Sequence, residues 1–179
     1  LSRFNSPIDG SPCVAILTLE SNNRKTGNMC QVWILREDIN PVDAIESGDD
    51  YSICGDCRHR KNSVTKKRSC YVNVGQSPNA IWKAYKSGRY PDSLNNVPAV
   101  RRMLRHRSIR WGAYGDPAMI PFQVFEFIND FAKDHTGYTH QWKKDFALIY
   151  KNFFQASCDG LGDYLQAVLT AGKLLRCYL

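Results

Sequence analysis

Cys54-Gly55-Asp56-Cys57 is a CxxC, and Cys70 follows it after twelve intervening residues. Two thiolates at that spacing in a turn can converge on one metal, and Gly55 relaxes the backbone for the approach. Thiolates suit zinc or an iron–sulfur cluster. A redox CxxC is the competing reading, but such pairs open a helix directly after a strand and need no third cysteine. The fourth ligand is open among Cys30, His59, Cys158 and an exogenous molecule. Three protein sulfurs with an open position make a catalytic centre, and four make a structural one. The cations between Cys57 and Cys70 (Arg58, Arg60, Lys61, Lys66, Lys67 and Arg68) would offset thiolate charge and lower the thiol pKa values. Cys13 and Cys177 have apolar neighbours and read as core residues.

Carboxylates and an imidazole form a second set. In parallel α/β folds the loops after successive strands open on one face, so functional side chains collect at the strands' carboxyl ends. The strand candidates here end in Arg36-Glu37, Tyr114-Gly115-Asp116, Thr139-His140-Gln141 and Ser157-Cys158-Asp159. Glu37, Asp116, His140 and Asp159 are therefore candidates for acid–base catalysis. Asp116 and Asp159 each precede a helix, so capping is the alternative for both. For His140 the alternative is a satisfied, partly buried histidine.

These residues need a scaffold that brings them together. Val14–Leu19 and Cys30–Leu35 are apolar runs on either side of a polar, turn-like stretch, and they predict a hairpin. Asn40-Pro41 predicts a helix through about Ser47, with Asn as cap and Pro in the first turn. Residues 48–68 show little periodicity, many charges and two of the cysteines. A loop that long needs something to hold it, and a metal would do so. Helices are predicted from Ser77-Pro78 onward and over Val97–Arg107, Pro121–Asp134 and Leu161–Ala171, with one or two helical turns over Phe146–Lys151. Ile109–Tyr114, Gly137–Trp142, Phe153–Ser157 and Lys173–Leu179 predict strands. Residues 1–12, with Pro7, Gly10 and Pro12, predict an irregular lead-in.

The alternation of strand and helix predicts an α/β fold: a mostly parallel sheet or a partial (β/α) barrel with a possible N-terminal hairpin. The length of 179 residues fits a single domain, with residues 1–26 as lead-in and first strand and 48–76 as a cysteine-rich metal-binding insertion. Hydrophobic residues at 43% argue against disorder, and no apolar run is long enough for a membrane span. The opening Leu-Ser-Arg-Phe-Asn lacks the character of a signal peptide and suggests processing or trimming. With an odd number of cysteines, seven, it points to a reducing, cytoplasmic setting.

Charge is uneven. The formal net charge is +7, yet residues 58–68 and 101–110 are basic runs without a single acid, so the remainder is net acidic. Arg101, Arg102 and Arg105 lead the second run. Basic patches on an acidic body suit nucleic acid or another polyanion, and solvated helix and loop faces are the alternative.

Several blocks resemble a family carried by phages, plasmids and bacteria: Gly27-Asn28-Met29 with Trp33–Arg36, Ser52–Cys57, Cys70–Gln76, Gly112–Pro117 and Gly137–Trp142, in that order. The resemblance covers roughly residues 27–179 and implies no particular activity. Members continue into a cysteine-rich tail, which implies that this chain lacks a second site or is trimmed. More remotely the layout is similar to phage proteins with cysteine clusters and partial barrels of the radical-SAM kind, although CxxC-x12-C departs from the CxxxCxxC of those enzymes. The expectation is a metal-binding α/β protein of mobile-element type, acting on nucleic acid or a phosphate-bearing substrate. The other readings are a non-catalytic nucleic-acid-binding protein with a structural zinc knuckle, and an accessory protein that binds a protein partner.

Overall fold

The β-branched and aromatic runs of the sequence form the sheet. A computed structural model describes residues 1–20, 26–92 and 96–171. The strands are β1 (Ser2–Asn5), β2 (Pro12–Thr18), β3 (Cys30–Arg36), β4 (Ser108–Tyr114), β5 (Asp134–Thr139) and β6 (Gln155–Ala156). They lie side by side in chain order in one six-stranded sheet that does not close on itself. β1 pairs antiparallel with β2, and β2 antiparallel with β3, from Cys13 opposite Arg36 to Thr18 opposite Gln31. From β3 onward every pairing is parallel. The fold is α/β.

Parallel neighbours need crossovers, and helices supply them. Between β3 and β4 run α1 (Pro41–Ser47), α2 (Tyr51–Cys54), α3 (Ser77–Lys86) and α4 (Val97–Leu104). Between β4 and β5 lies α5 (Phe122–Asn129), and α6 (Leu161–Ala171) follows β6. α1 starts where its sequence says it should: the Asn40 side chain accepts from the backbone N–H groups of Val42 and Asp43, and Pro41 occupies the first turn. Among the described residues no helix is long and apolar enough to cross a membrane.

Two sequence expectations are corrected. The lead-in contains a strand, β1, because pairing with Pro12–Ala15 of β2 overrides its weak local pattern. The helix expected to reach Asp134 stops at Asn129, and Asp134–Gly137 instead aligns with Ser108–Trp111 of β4. The last strand expected over Lys173–Leu179, with Cys177, lies outside the described residues.

Alternation along β4 divides the molecule. Ile109 and Trp111 point to one face, where the Trp111 ring lies 5.0 Å from that of Phe125 on α5. Val100 and Leu104 of α4 are buried in the same core. Arg110, Gly112 and Tyr114 point to the other face, beneath the cysteine-bearing segment.

Candidate functional site

The site is built where the cysteine segment docks on the carboxyl ends of the parallel strands. The Asp116 backbone N–H, just past β4, donates to the Ile53 carbonyl of α2 at 2.7 Å. Gln141, fully buried past the end of β5, clamps the CxxC: its Nε2 donates to the Cys54 carbonyl at 3.0 Å and its Oε1 accepts from the Asp56 N–H at 3.3 Å. Gly55 makes this possible. Its φ is +54°, and a Cβ there would sit inside the Gln141 carboxamide. Further along, the Cys70 N–H donates to the His59 carbonyl at 3.0 Å and folds the segment back on itself.

Docking creates a cavity of about 310 Å³. Cys54, Cys57 and Cys70 line it on one side; Gly112–Asp116, Tyr138, His140 and Ser157 line it from the ends of β4, β5 and β6. The three sulfurs share this cavity without closing round one ion. Among the described residues, the only three-membered His, Cys, Asp or Glu set with all ligand atoms within 4.8 Å of one another is His59, His140 and Asp159. A single tetrahedral ion with ~2.3 Å bonds needs its sulfurs ~3.8 Å apart.

Two of the thiols, Cys54 and Cys57, are held neutral. Burial pushes the Cys57 thiol up to about 11, and Cys54 rises well above the usual thiol range through burial, reinforced by Asp50. This reverses the expectation that the basic run lowers them. Arg60 is bound to the buried Asp50 carboxylate at 2.6 Å and Lys61 to Glu46, while Arg68 donates to the Cys70 and Val72 carbonyls. Acids just upstream of the run thus take up two of the six cations. Any metal entering must displace thiol protons, so binding releases acid.

Two buried polar atoms beside the thiols have no hydrogen-bond partner among the described residues: the Tyr114 hydroxyl and Arg68 Nε. Tyr114 is 3% exposed and lines the cavity. A buried hydroxyl without a partner costs ~1–3 kcal/mol. Tyr114→Phe is therefore expected to raise the stability of the metal-free protein by about 1 kcal/mol, a rise in Tm of ~2–4 °C. Thermal unfolding of the two proteins side by side checks this, and a lower Tm would show that the hydroxyl is satisfied.

The other sequence candidates fall at different places. Asp116 lines the cavity, yet its carboxylate is already committed to Thr139 Oγ1 and His140 N–H at 2.7 Å each and to Ala118 N–H at 3.0 Å. It caps the 3-10 turn at Pro117–Met119, so the capping alternative describes its contacts. Burial, against these bonds, raises its pKa to about 6. His140 lines this cavity and a neighbouring one of about 340 Å³, which Asp159 also lines. Burial lowers the His140 pKa, with Asp159 opposing.

Glu37 is not brought to the cavity; it binds Arg3 Nε at 2.9 Å and the Tyr85 hydroxyl. Cys30 sits at the other end of the sheet, opposite Ile109 where β4 begins, with its thiol directed at the Leu19 carbonyl. Cys158 is buried against Trp142, Ala156 and Ala167. The basic runs separate too. Arg58, Lys66 and Lys67 are exposed on the cysteine segment, whereas Arg101, Arg102 and Arg105 are exposed on α4, which packs on the opposite face. Sequence reasoning missed Tyr114 and Gln141. Tyr114 ends a strand on its cavity face, and Gln141 follows His140 directly, which are the signals that mark them.

No protein-family model, curated protein or solved structure matches the chain.

Proposed function

We propose that this chain is an iron–sulfur metalloprotein of mobile-element type, with Cys54, Cys57 and Cys70 as cluster ligands and a phosphate-bearing substrate, nucleic acid first among them. One observation carries the reading: three thiols of the folded-back cysteine segment line one cavity at the carboxyl ends of parallel strands. A four-iron cluster is our choice over a lone zinc ion because each of its cysteines binds a different iron, so the sulfurs need not converge on one ion. The donor set fits as well. The unpartnered Tyr114 hydroxyl lines the cavity, and donors of this kind tune clusters by hydrogen bonding to sulfur. Four of the blocks that resemble the phage and plasmid family meet here: Ser52–Cys57, Cys70–Gln76, Gly112–Pro117 and Gly137–Trp142.

When bound, a cluster with three cysteine ligands supplies an iron open to a substrate atom or an electron. The protein's own residues do the rest. Arg110 Nη2, held at 2.9 Å by the Tyr71 hydroxyl, places a cation on the cavity wall. His140, with its ring beside Asp159, adds a nitrogen donor to the cavity wall. Arg58, Lys66 and Lys67 give the segment above it a positive surface that favours phosphate.

Anaerobic reconstitution with ferrous iron and sulfide tests the cofactor. The expected result is a brown protein with stoichiometric iron and sulfide. A colourless protein that takes up zinc alone would favour the zinc-knuckle reading. The substrate class is tested by salt. Among the described residues no acid is paired with Arg101, Arg102 or Arg105. These three lie on the face opposite the cavity, so replacing them with Ala tests a second nucleic-acid surface: it is expected to weaken binding about evenly across sequences and to flatten the log–log salt slope by ~2–3. Binding that ignores salt, or no binding, removes nucleic acid from the proposal and leaves a protein partner or a small phosphate ester.

A further inference from the structure

Beside the thiols lies a second constellation with different chemistry. His59 comes from the cysteine segment, His140 from the end of β5 and Asp159 from the end of β6. His59 Nε2 is 3.3 Å from Asp159 Oδ1, and His140 Nε2 is 3.8 Å from the same oxygen. All three ligand atoms lie within 4.8 Å of one another. Nitrogen and oxygen ligands at ~2.1 Å from one ion stand ~3.0–3.4 Å apart at octahedral or tetrahedral angles. The first pair already has that spacing, and the second is a few tenths of an ångström wider. We propose that His59, His140 and Asp159 form a site for a single first-row divalent transition ion, such as Zn2+, Co2+ or Fe2+, separate from the thiol site.

The surroundings are those of a ligand set rather than of a chance ion pair. The His59 ring is held by its other nitrogen: Nδ1 lies 2.8 Å from Ser69 Oγ, which leaves Nε2 directed at Asp159. A second hydrogen bond of this kind is what fixes the ring of a metal-bound histidine. His140 is anchored through its backbone, whose N–H donates to Asp116 Oδ2 at 2.7 Å. Asp159 is anchored likewise, its N–H donating to Asp163 Oδ2 at 3.1 Å and its carbonyl accepting from Arg58 Nη1 at 3.2 Å. The two imidazoles stand edge to face with ring centroids 5.6 Å apart, so both can approach one ion without stacking on each other.

Two imidazoles and one carboxylate select a transition ion over magnesium or calcium, which favour all-oxygen shells. They also leave coordination positions unfilled by protein, and both His140 and Asp159 line the 340 Å³ cavity. The ion would fasten the cysteine segment, through His59, to the ends of β5 and β6. The site does not rest on the iron–sulfur reading, because none of its ligands is a thiol.

The test uses the full chain with Cys54, Cys57 and Cys70 replaced by serine, titrated anaerobically with Co2+ alone and then with Zn2+. The expected result is one equivalent of Co2+ with weak visible bands, no thiolate charge-transfer absorption, and displacement by Zn2+. His59→Gln, His140→Gln and Asp159→Asn should each weaken binding by about a hundredfold or more. Ser69→Ala should weaken it roughly tenfold, as loss of an outer hydrogen bond does. A folded triple-serine protein that binds no Co2+, or binding that Asp159→Asn leaves unchanged, overturns the proposal. If the triple-serine protein does not fold, zinc stoichiometry of the wild type and Asp159→Asn decides. A drop of one equivalent supports the site and an unchanged count overturns it. A wild-type protein that takes up no iron and sulfide on reconstitution, while the triple-serine protein still binds Co2+, would count against the thiol reading alone.

Discussion

Cys54→Ser, Cys57→Ser and Cys70→Ser are each expected to take sulfide incorporation on anaerobic reconstitution, with the cluster iron it holds, from stoichiometric to near background. Cys30→Ser is expected to leave it unchanged. The first three thiols line one cavity, and the fourth lies at the opposite end of the sheet near the Leu19 carbonyl. Serine keeps the shape of each side chain at slightly smaller volume but offers iron an alcohol in place of a thiolate, a far poorer soft-metal ligand. The three thiols are only partly buried, so the serine hydroxyls have access to solvent and thermal unfolding of each variant separates ligand loss from loss of fold. Iron and sulfide analysis with absorption spectra makes the measurement. Sulfide retained with its iron by all three variants would remove the cluster from these cysteines, and sulfide lost from Cys30→Ser would place a ligand where the fold does not.

Asp116→Ala is expected to destabilise the protein by ~3–5 kcal/mol. The carboxylate gathers Thr139 Oγ1, Ala118 N–H and His140 N–H, and it ties the end of β4 to the end of β5. Removing it strands three buried donors, at ~1–3 kcal/mol for each one left unsatisfied. Asp116→Asn keeps the shape and one acceptor, so it should cost less than half as much. The same pair reveals the titration. With the folded pKa raised to about 6 against an unfolded value near 4, the folded protein holds a proton that the unfolded chain has lost between those values. The wild type therefore loses stability as pH rises through that window, by ~2–3 kcal/mol in all, and Asp116→Asn should lack this component. Urea unfolding at pH 3.5 and 7.5, on either side of the window, measures it. Equal pH dependence in the two proteins would show that the carboxylate is ionised throughout.

Both experiments bear on a region only partly legible beforehand. The spacing of Cys54, Cys57 and Cys70 marked them as a set, and Tyr114-Gly115-Asp116 and Thr139-His140-Gln141 stood out as strand ends, because these are local patterns. The extent of α1 was legible for the same reason, with Asn40, Pro41 and Gly48 each performing a terminus role within a few residues. β1 was not, since its four residues owe their extended state to β2. The end of α5 was equally hidden. Residues 130–134 continue a helical pattern, and it is the edge of β4 that draws Asp134 into the sheet.

What the sequence by itself determined is the inventory: an α/β alternation, three thiols at ligand spacing, polar side chains at strand ends and two acid-free basic runs. Local propensity and short-range spacing carry all of these. Only the tertiary structure decided which members meet. It set Asp116 to hold the scaffold, brought His59 to His140 and Asp159, and left Glu37 and Cys30 elsewhere. It also gave Arg60 and Lys61 to Asp50 and Glu46, so that burial outweighs the basic run and raises the thiol pKa values. Contacts between residues tens of positions apart depend on crossover paths and strand order. Side-chain burial follows from those contacts, and no local pattern in the chain encodes it.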